Sequence, residues 1–359
     1  MSSQPAFSVC IPNYNYERFV AETIRSVLDQ TYRNFEVVVV DNCSTDGSWE
    51  AIASVAATDS RIRCFRNPYN VGFGPNLDRA AGHARNEFII VLSSDDLMRP
   101  TALAEYAAIL SRLGGSAEKV LISSEIDIID AQGAVVGEVR KPSYISPATD
   151  LDTALTAKIA DTQIMVFSAQ SVFKQAYENI ISPCAFLSTC YSRKLYNAVG
   201  GFNSIHPTSP DAHLVYKALS AGNSLVLVEK KLFFYRVHGR GQFSSVEAGR
   251  SLNALINHYL LINSYTPAQL QGAKIDKPKA VRRLVGKFYV EEGIRRVGLG
   301  QSLFALQHLC FALAAYPGPT ARRPASYLLA LLLVIGPFGK FLVNMSRRLV
   351  QKRSPEIQW

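Results

Sequence analysis

Two carboxylates stand side by side at Asp95-Asp96, directly after the run Phe88-Ile89-Ile90-Val91-Leu92 and two serines. Five apolar residues without a charge read as a strand buried on both faces, as parallel sheets require. In an open α/β sheet, ligands bind beyond the carboxyl ends of the strands. Adjacent carboxylates repel, and a divalent cation carrying phosphate oxygens compensates them. Magnesium-type ions take one or two carboxylates and complete their shell with phosphate oxygens and water. The competing reading is that both acids cap a helix starting near Pro100, because acids are favoured at helix starts. A second cluster is Arg236-Val237-His238-Gly239-Arg240-Gly241. Two guanidiniums around an imidazole, on a glycine-pliable loop, suit an anion. Two more carboxylates close the inventory: Asp41 ends the apolar run Phe35–Val40, and Asp211 precedes the helical stretch Ala212–Ala221.

The elements that must position these residues alternate. Phe7–Ile11 reads as a strand, broken by Pro12-Asn13-Tyr14-Asn15. Glu17–Gln30 has helical spacing, with Phe19, Ile24, Val27 and Leu28 on one face. Phe35–Val40 is the next strand. A polar loop, Asn42–Ser48, opens a helix at Trp49–Ala57. Arg61–Phe65, the turn Asn70–Asn76, the helix Leu77–Ala84 and the Phe88 run follow. Four strand–helix alternations in under a hundred residues predict βαβ units and a mostly parallel sheet. No Gly-x-Gly-x-x-Gly follows the first strand, which argues against a nicotinamide dehydrogenase. No Gly-x-x-x-x-Gly-Lys-Ser/Thr occurs either, which argues against a P-loop nucleotidase.

The charge is unevenly placed. The chain of 359 residues carries a net +9, but residues 271–359 hold 15 Lys+Arg against 4 Asp+Glu, whereas residues 1–270 are nearly balanced. A basic tail with apolar runs points to an anionic membrane surface and away from nucleic acid. The six cysteines form no Cys-x-x-Cys pair, and no basic-then-apolar leader opens the sequence. A reducing, cytosolic setting is the expectation.

Four segments taken together resemble the nucleotide-sugar-binding half of a family 2 glycosyltransferase of the GT-A fold. They are Val9-Cys10-Ile11-Pro12-Asn13-Tyr14-Asn15, Val40-Asp41-Asn42-Cys43-Ser44-Thr45-Asp46-Gly47, Asn70-Val71-Gly72 with Asn76, and Leu92-Ser93-Ser94-Asp95-Asp96. The resemblance implies donor contacts from Pro12, Tyr14, Asp41, Asn70, Gly72, Asn76 and Asp95. Asp41 would accept from the base, usually uracil, and Asp95 would face the ribose or diphosphate. Asp96 would hold Mg²⁺ or Mn²⁺, with His238 near the metal and Arg236 and Arg240 on the phosphates. Where the family usually has a third acid, this chain has Ser93. The Gly200-Gly201-Phe202 turn also matches, followed by Asp211, with Pro210 in place of the usual first acid. Asp211 would then be the base that takes the acceptor proton, a role one well-held carboxylate fills. A plain helix N-cap is its alternative.

The middle is less distinct: Val120–Ile129 and Ala134–Val139 read as a hairpin, Asp150–Ala160 as a helix and Ile164–Phe167 as an apolar patch. Ser224–Val228 is a late strand. Beyond residue 246 the pattern turns helical. The run Ala325–Ile335, eleven residues without a charge, falls short of the ~20 residues a spanning helix needs, which suits a helix pair lying in or re-entering the membrane, with helices packed on the catalytic domain as the alternative. The expected architecture is therefore α/β: a GT-A-like catalytic domain over 1–246 and a helical, basic, membrane-associated region over 247–359. The resemblance implies an inverting, metal-dependent transferase that takes sugar from a UDP-sugar; the tail, which would place the site near the cytoplasmic face of a membrane, points to a lipid-linked or saccharide acceptor. A nucleotidyltransferase on a similar sheet, or a non-catalytic nucleotide-sugar-binding adaptor, are the other classes. The first lacks a basic phosphate-gripping motif after the first strand; the second would not need both Asp96 and Asp211.

Overall fold

In this computed structural model the described residues are 4–139, 150–159, 161, 163–202, 209–238 and 247–353. The chain divides into two units, one of Met1–Ala176 with Ile181–Ser245 and the other of Tyr177–Ile180 with Val246–Trp359.

The first unit is built on one sheet. Its strands are β1 (Phe7–Asn13), β2 (Phe35–Asp41), β3 (Ile62–Arg66), β4 (Phe88–Val91), β5 (Leu97–Met98), β6 (Val120–Ile129), β7 (Val135–Val139), β8 (Ile164–Phe167), β9 (Cys190–Ser192) and β10 (Ser224–Arg236). Their order is β3-β2-β1-β4-β9-β6-β10-β5, with β7 on β6 and β8 on β10. β3, β2, β1 and β4 run parallel, as do β6 and β10; the short β9 runs against both β4 and β6 and joins the two halves. Val37–Val40 and Ile89–Val91 are wholly buried, which is why these strands carry apolar residues on both faces. Helices α1 (Val20–Leu28), α2 (Ser48–Ala56) and α3 (Phe73–Gly82) are the first crossovers. α1 buries Val20, Thr23, Ile24 and Val27, the i, i+3, i+4, i+7 stripe that a helix lays on a sheet.

Register decides where the chemistry can sit. β1 pairs with β2 from Phe7↔Phe35 through to Asn13↔Asp41, so both strands end level. β4 lies on the other side of β1, and Leu92 N donates to Cys10 O at 2.9 Å just beyond it. The carboxyl ends of β1, β2 and β4 therefore open on one edge, as expected of such a sheet.

Three expectations are corrected here. The apolar patch Ile164–Phe167 is strand β8, antiparallel to β10. The acidic turn does not run into a helix: β5 intervenes, and the helix Ala102–Leu113 starts after Thr101. Asp95 and Asp96 are therefore not its caps. The late strand is also longer than Ser224–Val228. β10 continues through Glu229-Lys230-Lys231 to Arg236, with irregular pairing to β6 around Lys231.

The second unit is helical. It comprises Glu247–Asn263, Pro267–Gly272, Lys277–Arg283, a π-helical stretch Leu284–Glu291, Glu292–Gly298, Ser302–Ala315, Pro317–Ala321, Pro324–Val334 and Pro337–Arg353. Thr266 and Gln269 form a reciprocal capping box, and Asp276 caps the next helix through Lys279 N. Glycine lets helices approach closely: a Cβ on Gly293 would lie 2.6 Å from Leu329, and one on Gly298 2.7 Å from Val343. Among the described residues no helix is long and apolar enough to cross a membrane.

Candidate functional site

The turn after β4 carries the acid pair, and the end of β10 lies against it because β5 pairs with Phe233 and Phe234. Asp96 is 1% exposed and its Oδ1 accepts from Arg236 N at 2.9 Å. Asp95 is 8% exposed; its Oδ2 meets His238 Nε2 at 3.0 Å, and its backbone oxygen accepts from Arg236 Nε at 2.8 Å. Burial, and then the neighbouring Asp95 charge, hold Asp96 well above the usual carboxylate range. Burial also raises Asp95, partly offset by His238. The pair thus carries negative charge at a cost that a cation would relieve.

His238 packs against Tyr16 at 5.7 Å and Phe19 at 4.7 Å between ring centroids. Its Nε2 faces Asp95, so the imidazole reaches the expected neighbourhood by way of the first acid. Arg236 departs from expectation. It is only 3% exposed, lies over the Phe19 ring, pairs with Glu22 at 2.8 Å and reaches the Asp130 and Ala131 carbonyls at 3.4 and 3.5 Å. Its donors are taken up inside the fold. Arg236 braces the acidic turn and does not reach out to grip phosphate. Arg240, with Gly239 and Gly241, lies outside the described residues. Among the described residues no three His, Cys, Asp or Glu side chains cluster as a metal cage. Two adjacent, disfavoured carboxylates still suit a magnesium-type ion, which draws its remaining ligands from phosphate and water.

The second wall lies at the ends of β1 and β2. Asp41 is wholly buried, and both of its oxygens are occupied. Oδ1 accepts from Asn13 Nδ2 at 2.9 Å and Ser44 Oγ at 2.5 Å; Oδ2 accepts from Ser44 N at 3.0 Å and lies 3.3 Å from Arg66 Nε. Asp41 therefore shapes the loop, and its lone pairs are filled without a ligand. Asn13 Oδ1, beside it, is buried and unpartnered. Pro12 is partly exposed, and Tyr14, at 41%, is open to solvent. Asn15, at φ +58°, accepts from Thr45 N at 2.8 Å, which bolts the two loops together.

Amides link the third motif to this wall. Asn42 Nδ2 donates to Asn70 Oδ1 at 2.8 Å, and Asn70 Oδ1 also accepts from Gly72 N at 2.8 Å. Gly72 needs glycine, at φ +89°. Asn67 Nδ2 bridges Asn42 Oδ1 and Asn76 Oδ1, both at 2.9 Å, and Arg79 donates to Asn67 at 2.6 Å. Reading the sequence for carboxylates missed Asn13, Asn42, Asn67 and Arg79. The available signal was asparagine after each of β1, β2 and β3, far more amide than a core needs.

Asp211 sits in the first turn of the helix Pro210–Ser220, after Ser209. The N-cap position is thus Ser209, and the N-cap alternative for Asp211 is set aside. Burial raises the Asp211 pKa against backbone hydrogen bonds that lower it. Among the described residues it shares no hydrogen bond with the acid pair. Its helix is tethered: Lys217 Nζ donates to Gly201 O at 2.5 Å, while Asp78 on α3 accepts from Phe202 N at 2.7 Å and from the Tyr196 hydroxyl.

The sequence pattern described as Glycosyl transferase family 2 matches residues 8–117. That segment holds both walls, from β1 to the acidic turn. This segment is similar in sequence to the family 2 glycosyltransferases. An uncharacterized glycosyltransferase of Haemophilus influenzae is 28% identical over 137 residues, 37% of this chain and 42% of that protein. The chain thus spans well under half the length of that relative. The Escherichia coli UDP-Glc:alpha-D-GlcNAc-diphosphoundecaprenol beta-1,3-glucosyltransferase WfaP is 26% identical, covering 65% of this chain and 93% of WfaP. In fold, the chain is similar to S. aureus TarS 1-349, solved in complex with UDP-GlcNAc: TM-score 0.61, 17% identity, 96% of this chain and 92% of that one. The α/β core is of the GT-A type.

Proposed function

We propose that this chain is a family 2 glycosyltransferase that moves a sugar from a UDP-sugar to a hydroxyl of a lipid-linked saccharide, with inversion at the anomeric carbon. The observation that carries the reading is the buried pair Asp95-Asp96 at the carboxyl end of the central parallel strand, on the edge shared with Asp41. Asp96, with Asp95 beside it, would hold Mg²⁺ or Mn²⁺. The ion would supply charge stabilisation for the diphosphate as it leaves.

The chain's own groups do the rest. Asp41 keeps Asn13 and the Ser44 turn in place for the base, and the Asn42–Asn67–Asn76 amides fix the Asn70–Gly72 loop. Pro12 and Tyr14 line the same mouth. Arg236 and His238 hold the acid pair in position. Asp211 is the base: the acceptor oxygen attacks the anomeric carbon from the face opposite the diphosphate, its proton passes to Asp211, and the bond from that carbon to the phosphate oxygen breaks. Burial raises the Asp211 pKa, which strengthens it as a base. WfaP, by its name, acts on a diphosphoundecaprenol-linked acceptor. An acceptor of that class, together with the basic tail, supports a place at the cytoplasmic face of a membrane.

The test is a panel of nucleotide sugars, with and without Mg²⁺ or Mn²⁺, read by tritrated-donor binding and UDP release. UDP-sugars binding preferentially, and more tightly with the ion, is the expected result. Preference for another nucleotide, or ion-independent turnover in excess EDTA, would overturn the donor or the metal assignment respectively.

A further inference from the structure

The second unit turns apolar side chains outward. On the helix Pro324–Val334 the inner face is buried at Ser326, Leu329 and Leu332. Its outer face is apolar as well: Tyr327 is 65% exposed, Leu331 55% and Val334 83%. Gly336, at φ +55°, makes the turn, and Pro337–Arg353 continues the pattern with exposed Phe338, Phe341 and Met345. Phe338 and Phe341 stack on each other at 5.9 Å. An apolar surface of this extent on a folded unit marks a contact. Neither helix is long and apolar enough to cross a bilayer.

The charge around it selects the occupant. From residue 293 to 355 there are nine Lys and Arg and no Asp or Glu, and of these Arg295, Arg296 and Arg323 pair with Glu291 or Glu292 just before the window. Arg322 precedes the first of these helices and Lys340 lies in the second, and both are exposed. A second copy of this face would bring like charge against like charge, whereas an anionic bilayer complements it. Apolar side chains at the centre with cations around them is the composition of a helix lying in the interface.

We infer that Tyr327, Leu331, Val334, Phe338, Phe341 and Met345 form an edge that inserts in the plane of an anionic bilayer, with Arg322 and Lys340 on its headgroups. This rests on the membrane placement proposed above and names the surface responsible. The full chain is tested by co-sedimentation with phosphatidylglycerol vesicles and phosphatidylcholine vesicles, beside V334E/F338E/F341E and R322Q/K340Q variants. Wild type should bind phosphatidylglycerol and be released only in part by high salt. The triple glutamate variant should lose binding at every salt concentration. The R322Q/K340Q variant should weaken by about fivefold per cation removed at low salt, as surface attraction of about 1 kcal/mol each implies. F338W should shift its emission to the blue on phosphatidylglycerol. Vesicle binding unchanged in the triple variant overturns the edge. So does a wild-type dimer in size exclusion that V334E/F338E/F341E dissociates, which would make the occupant a second copy. UDP-sugar binding by the same variants is measured alongside. Loss of vesicle binding with donor binding intact supports the edge, and absence of donor binding in wild type fails the catalytic reading without touching this one.

Discussion

At the residue scale the acid pair sets the terms. Asp96 has its pKa raised, so its charged form is disfavoured in the folded state. The sign follows: the native state holds that proton more tightly than the unfolded chain, so stability falls as pH rises through the folded pKa and is regained toward acid pH. Asp96→Asn is therefore expected to raise the melting temperature of the unliganded protein at neutral pH while lowering turnover by roughly 10²-fold or more, as loss of a charge-stabilising group does. Differential scanning fluorimetry with and without Mg²⁺ and UDP reads the first effect and UDP release the second. Wild type should gain about 2.7 kcal/mol from ligand at a hundredfold its Kd, and the variant much less. Asp41→Ala should act differently. It strands Asn13 and Ser44 without their partner, costing about 1–3 kcal/mol of stability, and weakens donor binding, which isothermal titration checks. The position of Asp95 and Asp96 after an apolar strand was legible in the sequence. The role of Arg236 was not, because its partner Glu22 lies 214 residues away and an arginine braced inside reads like one at a phosphate.

At the element scale, length and charge decided what could be read. The seven-residue β1 and β2 and the four-residue β4 were plain as apolar runs between turn residues. β5 and β9, with two and three residues, carry no period at all. β10 looked short because Glu229-Lys230-Lys231 interrupts its apolar run, where its pairing to β6 is irregular. Pairing to β6 resumes at Phe233↔Ile126 and runs to Arg236↔Ile129, and this pairing, not sequence pattern, carries β10 on to Arg236. The tether at Gly200-Gly201 gives a prediction at this scale. Both glycines have positive φ, +73° and +63°, but a Cβ on Gly200 meets open space, whereas one on Gly201 would lie 2.7 Å from Asp78 Oδ1. Gly200→Ala should cost only the backbone strain, roughly 1 kcal/mol. Gly201→Ala should cost more, because it also displaces the Asp78 and Tyr196 bonds, and should lower kcat by loosening the mount of Asp211. Chemical denaturation of both variants, with turnover measured beside it, checks the order.

At the scale of the whole molecule, the two units present two kinds of surface. The first unit closes its apolar strands inside and opens carboxylates at one edge of a sheet. The second leaves apolar helix faces outside, in a stretch of sequence rich in Lys and Arg. The change of character near residue 246 was visible as a shift of composition and charge; which helical faces point outward was not, because Leu329 and Leu331 are the same residue type on opposite sides of one helix. The central claim is that Asp211 takes the acceptor proton in a sugar transfer from a UDP-sugar. Its most direct test compares wild type with Asp211→Asn for donor Kd and for turnover on a diphospholipid-linked saccharide. The account predicts a donor Kd within about twofold and turnover lower by ~10²–10⁴-fold. An Asp211→Asn enzyme that turns over like wild type would contradict it.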